Sequence, residues 1–143
     1  MAVLFYIRVL LLGFGYKVYL KEENKKNAMK DVDQSIDSMM IYLHSHGSNR
    51  QEGRFLLDLA YQKNYNLCLM DMRGSGESEG EFCTLGIKEY KDVYSLMVTL
   101  AQRYKTKEVI LFGRSMGAAS VMNFVKNFRT GIIFVNLKTR QFQ

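Results

Sequence analysis

Short, dense apolar runs alternate with longer amphipathic stretches along this chain, and each kind of run predicts its own element. Met39 to Leu43 (MMIYL), Leu67 to Met72 (LCLMDM) and Val109 to Phe112 (VILF) have the length and apolar character of buried strands. Between them, Arg50 to Asn64 carries Phe55, Leu56, Leu59 and Ala60 at helical spacing. Gly86 to Tyr104 sets Tyr90, Val93, Tyr94, Met97, Leu100 and Ala101 on one helical face, a stripe read as core. A third helical pattern begins at Met116 and runs to about Asn127. At the flanks, Tyr16 to Leu20 alternates as a strand does, and Lys21 to Ser38 reads as a polar loop. Ile132 to Val135 is a last apolar strand, and Asn136 to Gln143 trails off basic and polar. Such alternation predicts an α/β fold: a mostly parallel sheet in three layers, with helices on both faces. The cleft of such a sheet lies beyond the carboxyl ends of its strands. The loops after 39–43, 67–72 and 109–112 all open on that edge, and they carry the glycines and the unusual polar residues.

Composition narrows the class. The 143 residues suffice for one domain, and with 48% of them apolar a sizeable core is expected rather than disorder. The net charge of +6 raises the question of nucleic acid, which its distribution answers. Residues 1–30 hold six basic and two acidic side chains, residues 126–143 four basic and none acidic, and the middle carries a small acidic excess. Basicity therefore lies in the flanks, without interleaved aromatics, and nucleic acid is excluded as a partner. Ala2 to Tyr16 is apolar, but Arg8 interrupts it at a cost of about 2.5–3.5 kcal/mol in a bilayer centre, so it reads as edge strands or an apolar extension packed on the sheet. Cys68 and Cys83 lack the spacing of a metal site or disulfide framework, and Cys68 reads as a small core residue.

The chemistry concentrates in Gly113-Arg114-Ser115-Met116-Gly117, a Gly-x-Ser-x-Gly placed between a strand and a helix. A serine on so sharp a turn is held in a strained backbone with its hydroxyl above the sheet edge. The flanking glycines fit because a side chain at either would meet the neighbouring strand or helix. The bland alternative is a tight strand-to-helix connection that contains serine by chance. An acyl-transfer serine also needs two amide donors for the oxyanion. The Met116 amide is one candidate, and the His46 amide is the other, with Ser45 close behind it. The side chains of His44 and His46 are set aside as bases, because both lie where the oxyanion loop belongs. Asp71-Met72-Arg73-Gly74-Ser75-Gly76 lacks the lysine of a phosphate loop and is followed by Glu77, Glu79 and Glu81. Asp71 and Arg73 are instead expected to pin a turn beside Ser115.

Taken together, three blocks of the chain resemble the α/β-hydrolase superfamily, in its serine aminopeptidase-like branch of small esterase and peptidase-type enzymes. Tyr42 to Arg50 resembles the oxyanion loop, and Asp71 to Gly80 with Thr84-Leu85-Gly86 resembles the turn after the following strand. Gly113 to Ala118 resembles the nucleophile elbow. The resemblance implies a serine hydrolase acting on an acyl bond (ester, thioester or amide) of a small molecule or peptide. Ser115 would be the nucleophile, with no cofactor and no metal. Two departures stand out. Ser45 occupies a position where the family usually has glycine. After Ser115 the sequence has no Asp, Glu or His, so the family's later acid and base are not among its residues. The chain is thus expected to be the N-terminal portion of a hydrolase, inactive in this form. The expected division is an extension (1–15), a partial hydrolase domain (16–135) and a tail (136–143). A cytoplasmic place is expected. A non-catalytic remnant, binding a partner or a membrane, is the alternative.

Overall fold

The computed structural model describes residues 37–128 in full and residues 16–19 by their backbone. Among the described residues, four strands form one sheet in the order β1-β3-β2-β4: β1 (Tyr16–Tyr19), β2 (Ser38–Leu43), β3 (Asn66–Met70) and β4 (Glu108–Gly113). β2 runs parallel to both β3 and β4, while β1 pairs antiparallel with β3 at the edge. The expected α/β architecture is present. The expected segments at 1–15, 20–36 and beyond residue 128, including the strand 132–135, lie outside the described residues.

Alternation along each strand divides the core in two. Met39, Ile41 and Leu43 of β2, with Cys68, Met70 and Leu111, pack against α2 (Glu89–Tyr104) and α3 (Met116–Asn127). Met40, Tyr42, Leu67 and Leu69 face the other way, onto Leu56 and Ala60. That second layer is one continuous segment, a 3-10 stretch Arg50–Leu56 leading into a single α-helical piece, α1 (Leu57–Gln62). Gly53 lets the 3-10 stretch come down close on the sheet, since an added Cβ there would lie 2.4 Å from the Tyr42 ring.

Two expected faces shift. On α2 the fully buried line is Val93, Leu96, Leu100 and Tyr104, while Ala101 is exposed and Tyr94 instead stacks on Phe128 with ring centroids 4.5 Å apart. The helix starts at Glu89, not Gly86, because Leu85 and Gly86 both have positive φ, which a helix does not admit. In the 50–62 segment Phe55 is 66% exposed and Leu59 is 36% exposed, the 3-10 turns having rotated them off the sheet.

The connections place the cleft. The segment after β2 leaves towards one face of the sheet and α3, after β4, towards the other, and β2 and β4 are neighbours. Their loops part at that point, which is where a sheet of this kind places its cleft.

Candidate active site

The elbow is built by backbone contact. A Cβ on Gly117 would lie 2.1 Å from the Leu43 carbonyl oxygen, and one on Gly113 would lie 2.4 Å from the Gly117 carbonyl carbon. β4, the first turn of α3 and the end of β2 meet at distances that only glycine permits. The Arg114 amide donates to the Leu43 carbonyl at 3.1 Å, which stitches the elbow to the last residue before the 44–48 loop.

Ser115 sits at the tip with φ 50° and ψ −112°, a conformation that costs a non-glycine residue about 1–3 kcal/mol. It is the N-cap of α3, yet its side chain makes no capping hydrogen bond, and the residue is exposed. A serine at an N-cap ordinarily spends its oxygen on the helix amides; here the hydroxyl is turned outward. Met116 opens α3, where the first amides have no partner within the helix and the helix dipole is positive.

The loop after β2 is organised by a residue that sequence reasoning missed. Glu52 accepts from the Ser45 amide at 2.8 Å and from the Ser45 hydroxyl at 3.1 Å. It also accepts from the Arg114 guanidinium, at 2.7 Å. Burial pushes the Glu52 carboxyl up, but the hydrogen bonds from Ser45, Ser48 and Arg114 outweigh it and hold the group below its ordinary value. One carboxylate therefore grips the residue before His46 and the residue before Ser115. Ser45, the departure from the family's glycine, supplies two of these donors. Its amide is thereby occupied, which removes Ser45 as an oxyanion donor. The only hint of this in the sequence is the nearness of Ser45 and Ser48 to an acid.

The two histidines behave differently. His44 is fully buried, its Nδ1 2.7 Å from the Ser45 carbonyl and its Nε2 accepting the Met72 amide at 2.9 Å. Both ring nitrogens are used, so His44 staples the β2 loop to the β3 loop and has no capacity left as a base. His46 is exposed and its Nδ1 lies 3.0 Å from the Cys83 sulfur.

The third loop, 71–86, is fixed by charge. Asp71 accepts from the Arg50 amide at 2.6 Å, from the Arg50 guanidinium, and from the Glu77 amide at 2.9 Å. Arg73 pairs with Asp92 of α2, with Nε 2.6 Å from its carboxylate. Asp71 and Arg73 do pin the turn, each to a different partner. Gly86 packs on α3, where a Cβ would come 2.7 Å from that of Ala119, and its carbonyl accepts from Asn123 at 3.0 Å. Among the described residues no group of three or more His, Cys, Asp or Glu is placed to hold a metal. Among them, too, no helix is long and apolar enough to cross a membrane.

Among curated proteins, no sequence matches the chain. Among solved structures it is similar to the Pyrococcus furiosus esterase Pf2001, at 28% identity and a TM-score of 0.61, over 68% of this chain and 40% of that one. It is similar in fold to an alpha-beta serine hydrolase homologue from Coxiella burnetii, at 15% identity and a TM-score of 0.64, over 93% of this chain and 61% of that one. A Paleococcus ferrophilus monoacylglycerol lipase matches in fold as well, at 16% identity and a TM-score of 0.61, over 86% of this chain and 42% of that one. The chain thus spans about two-fifths of the length of the Pyrococcus esterase. The family model described as serine aminopeptidase, S33, matches residues 36–136, and the chain belongs to that family of α/β-hydrolases.

Proposed function

We propose that this chain carries the nucleophile and oxyanion donors of a serine hydrolase that cleaves an acyl bond, with esters the favoured class. The Ser115 oxygen attacks the acyl carbonyl, and the amides of Met116 and His46 receive the negative charge that forms on its oxygen. The observation that carries this reading is Ser115 itself: a positive-φ, exposed serine at the head of a 12-residue helix. The helix is stitched through Leu43 and Glu52 to the loop bearing His46. The esterase and lipase neighbours favour an ester over an amide.

These residues do not supply a base. His44 is spent on backbone groups, His46 turns towards Cys83, and residues 116–143 contain no Asp, Glu or His. A site that keeps its nucleophile and oxyanion donors but lacks a triad member retains only a small part of its rate. Turnover by this chain alone is therefore expected to be slight.

The test supplies the missing base from solution. The chain is incubated with a fluorophosphonate in the presence of imidazole, and the adduct is mapped by peptide mass. The expected result is a single adduct on Ser115 that is absent from Ser115→Ala. Equal labelling of the two proteins, or no labelling of either, overturns the nucleophile and leaves the non-catalytic reading.

A further inference from the structure

The contact between Cys83 and His46 has no part in the acyl chemistry. The sulfur lies 3.0 Å from Nδ1, within hydrogen-bonding distance for a thiol and an imidazole. The two come from different loops, 37 residues apart in sequence. Each is presented by fixed backbone. On the Cys83 side, Glu89 accepts from the Thr84 hydroxyl at 2.7 Å and from the Gly86 amide at 2.8 Å, tying the segment to the start of α2. On the His46 side, the Ser48 amide closes a turn on the Ser45 carbonyl at 3.2 Å.

Two internal comparisons set this pair apart. His44 has both nitrogens engaged by backbone, whereas the described contact of the His46 ring is the thiol. Cys68 is fully buried in β3, and burial pushes its thiol well up, so it is held protonated and out of reach. Cys83 is half-buried beside an exposed histidine. A nucleophile within hydrogen-bond reach of a base is the arrangement that activates a thiol.

We propose that Cys83 and His46 form a thiol–imidazole pair that takes up small soluble disulfides, a modification site on the rim of the cleft. In its neutral form His46 carries its proton on Nε2 and accepts the thiol proton at Nδ1. The Cys83 sulfur attacks one sulfur of the disulfide; a new S–S bond forms to Cys83 as the old one breaks. The departing thiolate takes the proton back from the His46 imidazolium and leaves as a free thiol. The disulfide is the oxidant, and no other reagent is consumed. The adduct sits against the loop whose His46 amide is the candidate oxyanion donor. The pair itself stands whether or not Ser115 is a nucleophile.

The experiment uses the reduced full-length chain, hydroxyethyl disulfide as a neutral probe, and intact and peptide masses to follow the adduct. The reference for intrinsic reactivity is a synthetic peptide of residues 79–87. The expected result is one adduct, on Cys83, forming at least about tenfold faster than on the peptide at the same pH. His46→Ala is expected to lose that advantage, and added imidazole to restore part of it. A Cys83 rate at or below that of the peptide overturns the proposal without recourse to any variant. So does an adduct forming as fast on Cys68, or a His46→Ala rate equal to wild type.

Discussion

Two turns leave the carboxyl edge of the sheet, 71–80 after β3 and 113–117 after β4, and different forces hold them. The first is tied by ion pairs: Asp71 with Arg50, Arg50 with Glu77, and Arg73 with Asp92. Its Gly76 gives the Asp71 carboxylate room, since a Cβ there would lie 2.3 Å from it. The second is tied chiefly by backbone against backbone, through Gly113, Gly117 and the Leu43 carbonyl, with a single ion pair, Arg114 with Glu52, on its exposed side. Charge-assisted bonds respond to pH and to the loss of one partner. Steric closeness responds to neither, and it is the elbow, where a strained serine must stay put, that relies on it most.

The comparison yields its largest effect at Asp71. Its side chain is 1% exposed, and Asp71→Ala takes the acceptor from the Arg50 and Glu77 amides and leaves the Arg50 guanidinium with Glu77 alone, so it is expected to cost about 3 kcal/mol in denaturant unfolding. A loss under about 1 kcal/mol would show that charge does not hold this turn. Gly117→Ala is expected to cost about 3 kcal/mol, because helix or strand must move to admit a methyl group 2.1 Å from the Leu43 oxygen. That loss should be unchanged between pH 4 and 8, since no titrating group takes part; a pH-dependent loss breaks the contrast.

Acid loosens the carboxylate ties around both loops and leaves the elbow's backbone contact untouched. Glu52 and Glu89 are both lifted by burial and held lower still by their hydrogen bonds, so each ends below its ordinary value of 4.5. A carboxyl depressed in the fold stabilises it above that ordinary value, and the stabilisation is lost as pH falls through the folded value. The thermal midpoint should therefore drop on acidification from pH 5 towards 3, and Glu52→Gln should flatten part of the fall. The smallest effect has the opposite sign. Ser115→Gly relieves the φ of 50° and is expected to raise stability by about 1 kcal/mol. A neutral or negative change would mean that the serine is not strained.

Much of the frame was legible in the sequence, because strand runs such as Met39–Leu43 and the Gly-x-Ser-x-Gly turn are local patterns. The helix at 116 and the parallel order follow from the same alternation. What stayed hidden depends on residues that meet only after folding. Glu52 reaches Arg114 across 62 positions, and no periodicity in either segment records it. The rotation of the α2 face reflects where β4 and α3 settle, so Leu96 and Tyr104 are buried while Ala101 is not. The division of labour between His44 and His46 was half visible: their loop was located, but the Met72 amide and the Cys83 thiol that occupy them come from elsewhere.

The account rests on Ser115 facing two particular amides, and backbone NMR of the phosphonylated chain examines that arrangement directly. The phosphonyl oxygen of the adduct stands where the oxyanion of an acyl intermediate would. The Met116 and His46 amide protons should move downfield on labelling, while the Ser45 amide, already held by Glu52 at 2.8 Å, should not. Downfield movement of Ser45, or of neither Met116 nor His46, would contradict the arrangement proposed for the site.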